Sequence, residues 1–165
     1  MPLSLWGRWA LKRVGGHVVV ESGLWDDEGR LQYTQTISEI FHKEEWLTAE
    51  IVNRHQPRPP SNPSLPVDDW KRCGRIFSIT FGGQEYFPRY QFDAIYQPLP
   101  LIGDILAAFG AVDDTWNIAA WFHYPNGRIV KREHESVKAI APKEALDRRD
   151  DVMNALNKRT GSYVA

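Results

Sequence analysis

The chain has 165 residues, enough for one domain or two small modules. Hydrophobic residues make up 42% and charged residues 25%, the proportions of a chain that builds a core, which excludes general disorder. The formal net charge of −1 excludes a polycation, so nucleic-acid contact would require a local basic patch.

The N-terminus carries Arg8, Lys12 and Arg13 around Trp6 and Trp9, and the apolar run Val18-Val19-Val20 is too short for a signal-peptide core. Residues 17–22 are β-branched and apolar, residues 31–36 alternate apolar and polar, and Asp26-Asp27-Glu28-Gly29 lies between them as a turn. Together they predict an N-terminal hairpin. From Thr36 the period changes, with Ile37, Ile40 and Phe41 at helical spacing, then Trp46, Leu47, Ile51 and Val52, and with Thr48 and Glu50 as helix-start chemistry. One or two helices are expected before Pro57. Residues 57–66 hold five prolines and must form an extended connection.

Residues 66–72 predict a short helix closed by Cys73-Gly74. An alternating strand over residues 75–81 follows, then a Gly82-Gly83 turn and a return strand begun by Tyr86-Phe87, which Pro88 pushes toward a sheet edge. That order resembles the winged helices of excisionase-like regulators over residues 47–92. The last third is expected to be helical: Leu101, Ile105, Ala108 and Phe109 form one stripe with Gly110 as its cap. Asp113 or Asp114 caps a helix bearing Trp116, Trp121 and Phe122, which Pro125-Asn126-Gly127 stops. Pro142 suits a first helical position, and Val152 and Leu156 then lie four apart on a helix whose exposed face has Arg148, Arg149, Asp150 and Asp151. Residues 99–109, although apolar, contain Pro100 and Asp104 and fall short of the ~20 residues that cross a bilayer, so no membrane partner is expected.

Three consecutive parts emerge: an N-terminal hairpin and helix (1–45), a winged-helix-like part (46–97) and a helical part (98–165), an α+β fold ending in a small bundle. Catalytic chemistry finds little to use. Cys73 is a single cysteine without a nucleophile motif, and it excludes an internal disulfide and a cysteine-rich zinc site, which fits a cytoplasmic protein. His134 lies between Glu133 and Glu135, but immediate neighbours do not share a chelating face. Gly15-Gly16 and Gly82-Gly83 lack the spacing and lysine of a phosphate loop. No catalytic residue, metal or cofactor is therefore expected. An enzyme would need separated polar residues to converge in one pocket.

Between residues 51 and 92 six cations (Arg54, Arg58, Lys71, Arg72, Arg75, Arg89) face three acids (Asp68, Asp69, Glu85). Arg54, Lys71, Arg72, Arg75 and Arg89 are the candidate duplex-binding residues, since Lys71, Arg72 and Arg75 would meet phosphate where the short helix joins the wing. The alternative is an ordinary solvated face. Trp116, Trp121, Phe122 and Tyr124 read first as core and second as a docking patch.

The C-terminal third carries Trp116-Asn117-Ile118-Ala119-Ala120-Trp121-Phe122-His123-Tyr124-Pro125-Asn126-Gly127, then Pro142-Lys143-Glu144-Ala145-Leu146, then Asp151-Val152-Met153-Asn154-Ala155-Leu156. In this order the pieces resemble the toxin-binding domain of Xre/MbcA/ParS-type antitoxins over residues 99–159. The polar insert at residues 130–141 replaces the quick glycine turn usual there. The resemblance implies an antitoxin that covers the active site of a partner toxin, often a NAD-consuming RES-domain enzyme, acts as a dimer and can repress its own promoter. It points to Trp121, Tyr124, Asn126, Lys158, Arg159 and Tyr163 as toxin-binding residues. A DNA-binding regulator or adaptor without a toxin is the alternative.

Overall fold

A computed structural model describes residues 10–14, 17–21, 27–59, 61 and 65–161. Trp6, Trp9, Tyr163 and part of the proline-rich connection lie outside them. Helices and antiparallel strands together make an α+β protein. The chain divides into two compact units, both discontinuous in sequence: residues 1–43 with 116–155, and residues 44–115 with 156–165.

In the first unit β1 (Ala10–Val14) pairs antiparallel with β2 (His17–Glu21), Val14 opposite His17. The expected hairpin partner, residues 31–36, is instead inside helix α1 (Asp27–Lys43). Leu31 is 60% exposed, so its alternation with Tyr33 marks no strand face. Tyr33 heads a helical stripe that ends in fully buried Ile40, and Thr34 and Thr36 donate to the carbonyls of Arg30 and Gln32 one turn back. The supposed turn acids Asp27 and Glu28 open this helix.

Helix α5 (Trp116–His123) buries Trp116, Ile118, Ala119, Ala120 and Phe122, while Trp121 stays half-buried with its ring edge-on to Phe122. Tyr124 is buried just beyond. The aromatic cluster is thus core at three of its four positions. The following segment is not helical: β6 (Asn126–Glu133) and β7 (Ser136–Ile140) form a hairpin that takes up most of the polar insert. A 3-10 helix (Pro142–Ala145) places Pro142 first, and Glu144 accepts from the Ala141 N–H at 2.9 Å. Helix α6 (Arg149–Gly161) buries Val152, Ala155 and Leu156, and its last residues belong to the second unit.

The second unit contains β3 (Trp46–Leu47), α2 (Ala49–Arg54), α3 (Val67–Arg72), β4 (Ile79–Phe81), β5 (Gln84–Pro88) and α4 (Pro100–Phe109). Its sheet order is β3-β5-β4, all antiparallel, so β5 is central rather than an edge. Pro88 is tolerated because it is the last residue of the strand, opposite Trp46, and the next N–H, that of Arg89, bonds to the Glu45 carbonyl. Leu47, Val52, Val67, Trp70, Ile76, Phe87 and Phe92 make one core that ties both short helices to the sheet.

Candidate nucleic-acid interface

Thr48 starts the arrangement, accepting from the Ile51 N–H at 3.3 Å as the N-cap of α2. The proline-rich connection leads to α3, whose inward face is Val67 and Trp70 and whose outward face is Asp68, Asp69, Lys71 and Arg72. The helix ends in a Schellman closure. The Arg75 N–H bonds to Trp70 O at 2.8 Å, the Gly74 N–H bonds to Lys71 O, and Gly74 adopts φ +70°. This closure turns the chain out of the helix at Arg75 and aims it toward β4.

Gly82 and Gly83, at φ +58° and +79°, make a two-residue turn whose left-handed pair matches the twist of the flanking strands. Phe81 pairs with Gln84, Thr80 with Glu85 and Ile79 with Tyr86. The ladder covers only part of the expected strand, because Arg75 still closes the helix and Phe77 has a different partner. Buried Gln91 presents its side-chain amide to Phe77, its Oε1 accepting from the Phe77 N–H at 2.7 Å and its Nε2 donating to Phe77 O at 2.9 Å. A side chain thus replaces one backbone pair of a strand. Strand β3, helices α2 and α3 and the β4–β5 hairpin follow one another along the chain, and that hairpin is the one expected as a wing.

The five candidate cations differ in their surroundings. Arg54 pairs with Glu50 one turn earlier, both side chains largely exposed. Lys71 Nζ lies 2.6 Å from Glu85 Oε1, which also accepts from Ser78 Oγ, so Lys71 ties the helix to the wing. Burial alone would raise the Glu85 pKa, but the hydrogen bonds from Lys71 and Ser78 and the Lys71 charge hold it below the ordinary value. Arg72 pairs with Asp69 at 2.6 Å and remains 77% exposed, so solvent and salt compete for it. Arg75 is exposed, with its guanidinium 5.9 Å from the Trp70 ring, and has no carboxylate partner among the described residues. Arg89 is immobilised: it donates to Phe92 O and lies 4.5 Å from the Tyr96 ring, on which His55 also stacks. Three of the five therefore carry acidic partners, one is a structural clamp, and Arg75 is the least committed.

Asp68 and Asp69 occupy the first turn of α3, where carboxylates complement the helix dipole. That puts two negative charges at the helix start and moves the phosphate-compatible surface toward its C-terminal end. Exposed Arg58 adds to this surface. It lines a shallow cleft with Gln56, Pro57, Leu65, Pro66, Asp69 and Gln97. Gln56 shapes one wall, donating to the carbonyls of Val52 and Tyr96 and accepting from Gln97. Tyr96, at φ +60°, belongs to a turn closed by the Asp93 carboxylate, which accepts from the N–H groups of Ile95 and Gln97.

In the comparison with solved structures the chain resembles the NMR structure of Rv2175c, with a TM-score of 0.55 and 20% identity over 70% of this chain and 82% of that one. At that identity the likeness establishes the fold alone. No family model matches the chain, and no curated protein matches it.

The residues to which the antitoxin resemblance points fall in both units. Trp121 is half-buried, Tyr124 is buried, and Asn126 Oδ1 accepts from the Arg128 N–H at the start of β6. These three belong to the first unit, and Lys158 and Arg159 to the second. Lys158 is exposed, and the Arg159 guanidinium lies 4.2 Å from the Phe109 ring. Tyr163 lies outside the described residues. Among the described residues no group of three or more His, Cys, Asp or Glu could hold a metal ion, and no helix is long and apolar enough to cross a membrane.

Proposed function

We propose that the chain binds duplex DNA through its winged helix and acts as a regulator. The observation that carries this reading is the junction of α3 with the wing. There the helix closure at Cys73-Gly74 leaves exposed Arg72 at the end of α3 and exposed Arg75 just beyond it, ahead of a hairpin with a Gly82-Gly83 tip. Among the described residues Arg75 has no carboxylate to give up and Arg72 only an exposed one, so both can exchange water and salt for phosphate at little cost. In the R72A/R75A variant the slope of log affinity against log salt should fall by roughly 2, about 0.9 per lost phosphate contact. An unchanged slope in a variant that melts like the parent would overturn the reading.

The finer reading is an antitoxin. It is supported by the resemblance and by the order of elements that carry its motifs: a tryptophan helix ended at Pro125, Pro142 opening a 3-10 turn, and a terminal helix with Val152 and Leu156 buried. The full chain recovered from its native source should bring down a protein that arrests growth when expressed without it. Recovery of DNA with no such protein would leave the regulator without a toxin.

A further inference from the structure

The hairpin β6–β7 is a projecting arm with a fixed base. At the base Ile129 and Ile140 are buried, and Arg148, paired with Asp151, donates from Nη1 to Val130 O at 2.8 Å. Beyond it every residue from 131 to 138 is exposed, on both faces of the ribbon. A two-stranded ribbon bare on both faces gains little from burial, so its side chains are placed for contact with something outside the molecule.

The register sorts its charges. Lys131 stands directly opposite Lys138, a like-charge pair on one face that costs stability and is only partly relieved by Glu133, 2.8 Å from Lys131. Arg132 stands opposite Val137 on the other face, and Val137 is 61% exposed. Among the described residues the side chains of Arg132 and Lys138 make no hydrogen bond or ion pair. From residue 126 to 140 four cations (Arg128, Lys131, Arg132, Lys138) face two acids (Glu133, Glu135), in a chain whose net charge is −1.

We propose that this arm is a second duplex-DNA contact, a cationic ribbon that lies in a groove with Lys131 and Lys138 toward one phosphate strand and Arg132 toward the other. Two strands about 5 Å apart fit the ~12 Å width of the major groove. A polyanion also relieves the opposed lysine pair, which an uncharged partner would not. The proposal rests on the DNA-binding reading for its choice of polyanion, and the experiment separates the two.

Salt-dependent affinity of the full chain for a short mixed-sequence duplex is measured for the parent, for K131A/R132A/K138A, for the charge-keeping K131R/R132K/K138R and for R72A/R75A. The alanine arm variant should lose about 0.9 of slope per cation, roughly 2.7 in all, while the charge-keeping variant binds like the parent. If the arm variant keeps the parental slope and R72A/R75A does not, the arm proposal falls and the winged-helix reading stands. If the arm variant loses slope and R72A/R75A does not, the arm is upheld and the winged helix is not the contact. A parent that binds no duplex at low salt overturns both. Loss of binding to polyglutamate but not to duplex would assign the arm to an acidic protein and also overturn it.

Discussion

Gln91 links the wing to the rest of its unit through two hydrogen bonds to one residue, Phe77, fourteen positions away. Truncation to alanine would remove both of these hydrogen bonds from buried Phe77, at about 1–3 kcal/mol each. Q91A should therefore lose about 2–6 kcal/mol in urea denaturation, against less than 1 kcal/mol for an ordinary surface glutamine. Nothing in the sequence near Gln91 announces this role, because a side chain that imitates a strand leaves no periodic trace. The ion pairs that dilute the basic patch are easier to read. Glu50 with Arg54 and Asp69 with Arg72 lie at the helical spacings i,i+4 and i,i+3, whereas Lys71 with Glu85 becomes visible only when the wing folds back.

The Lys71–Glu85 pair has a pH signature. Its side chains are 38% and 37% exposed, so screening limits it to about 0.5–1 kcal/mol. Because the folded-state pKa of Glu85 is depressed, its stabilisation is complete above the ordinary glutamate value of 4.5 and is lost as pH falls through the folded value. E85Q should melt below the parent at neutral pH, and the difference should close in acid. A difference that persists below that range would mean that packing, not charge, holds the helix to the wing.

At the scale of elements, the local signals were legible. The Thr48 cap, the Cys73-Gly74 closure, the Gly82-Gly83 turn and the Pro142 start each depend on one or two residues whose backbone preferences the sequence states directly. The misreadings involve longer range. Residues 31–36 alternate by coincidence on a helix, and β1 was missed because its pairing with β2 depends on register rather than composition. The β6–β7 hairpin was missed because its two-residue connection is His134-Glu135, with His134 at φ +55°, in place of the asparagine or glycine that marks such turns. The wing turn offers a clean test. A Cβ built on Gly83 meets no atom within 4 Å, so G83A carries only the conformational cost of a left-handed residue, about 1–2 kcal/mol. Amide exchange should quicken in β4 and β5 and stay unchanged in α2. Uniform quickening would show that the wing does not open independently.

At the scale of the molecule, the three consecutive parts drawn from sequence cut the chain in order, whereas the compact units interleave its ends. Chain order shows which segments fold locally, but which distant segments share a core is decided by packing, as residues 27–43 and 116–123 do in the first unit. The α2–α3 pair and the β4–β5 hairpin were legible because their pieces are consecutive. The measurement that bears most directly on their role is a duplex titration followed by backbone amide resonances of the full chain at low salt. Binding through the winged helix should move the amides of Arg72, Cys73, Gly74 and Arg75 and of the Gly82-Gly83 tip, with the shifts reversed by added salt. Perturbations that spare both the α3 closure and the wing tip, or a spectrum that duplex leaves unchanged, would contradict it.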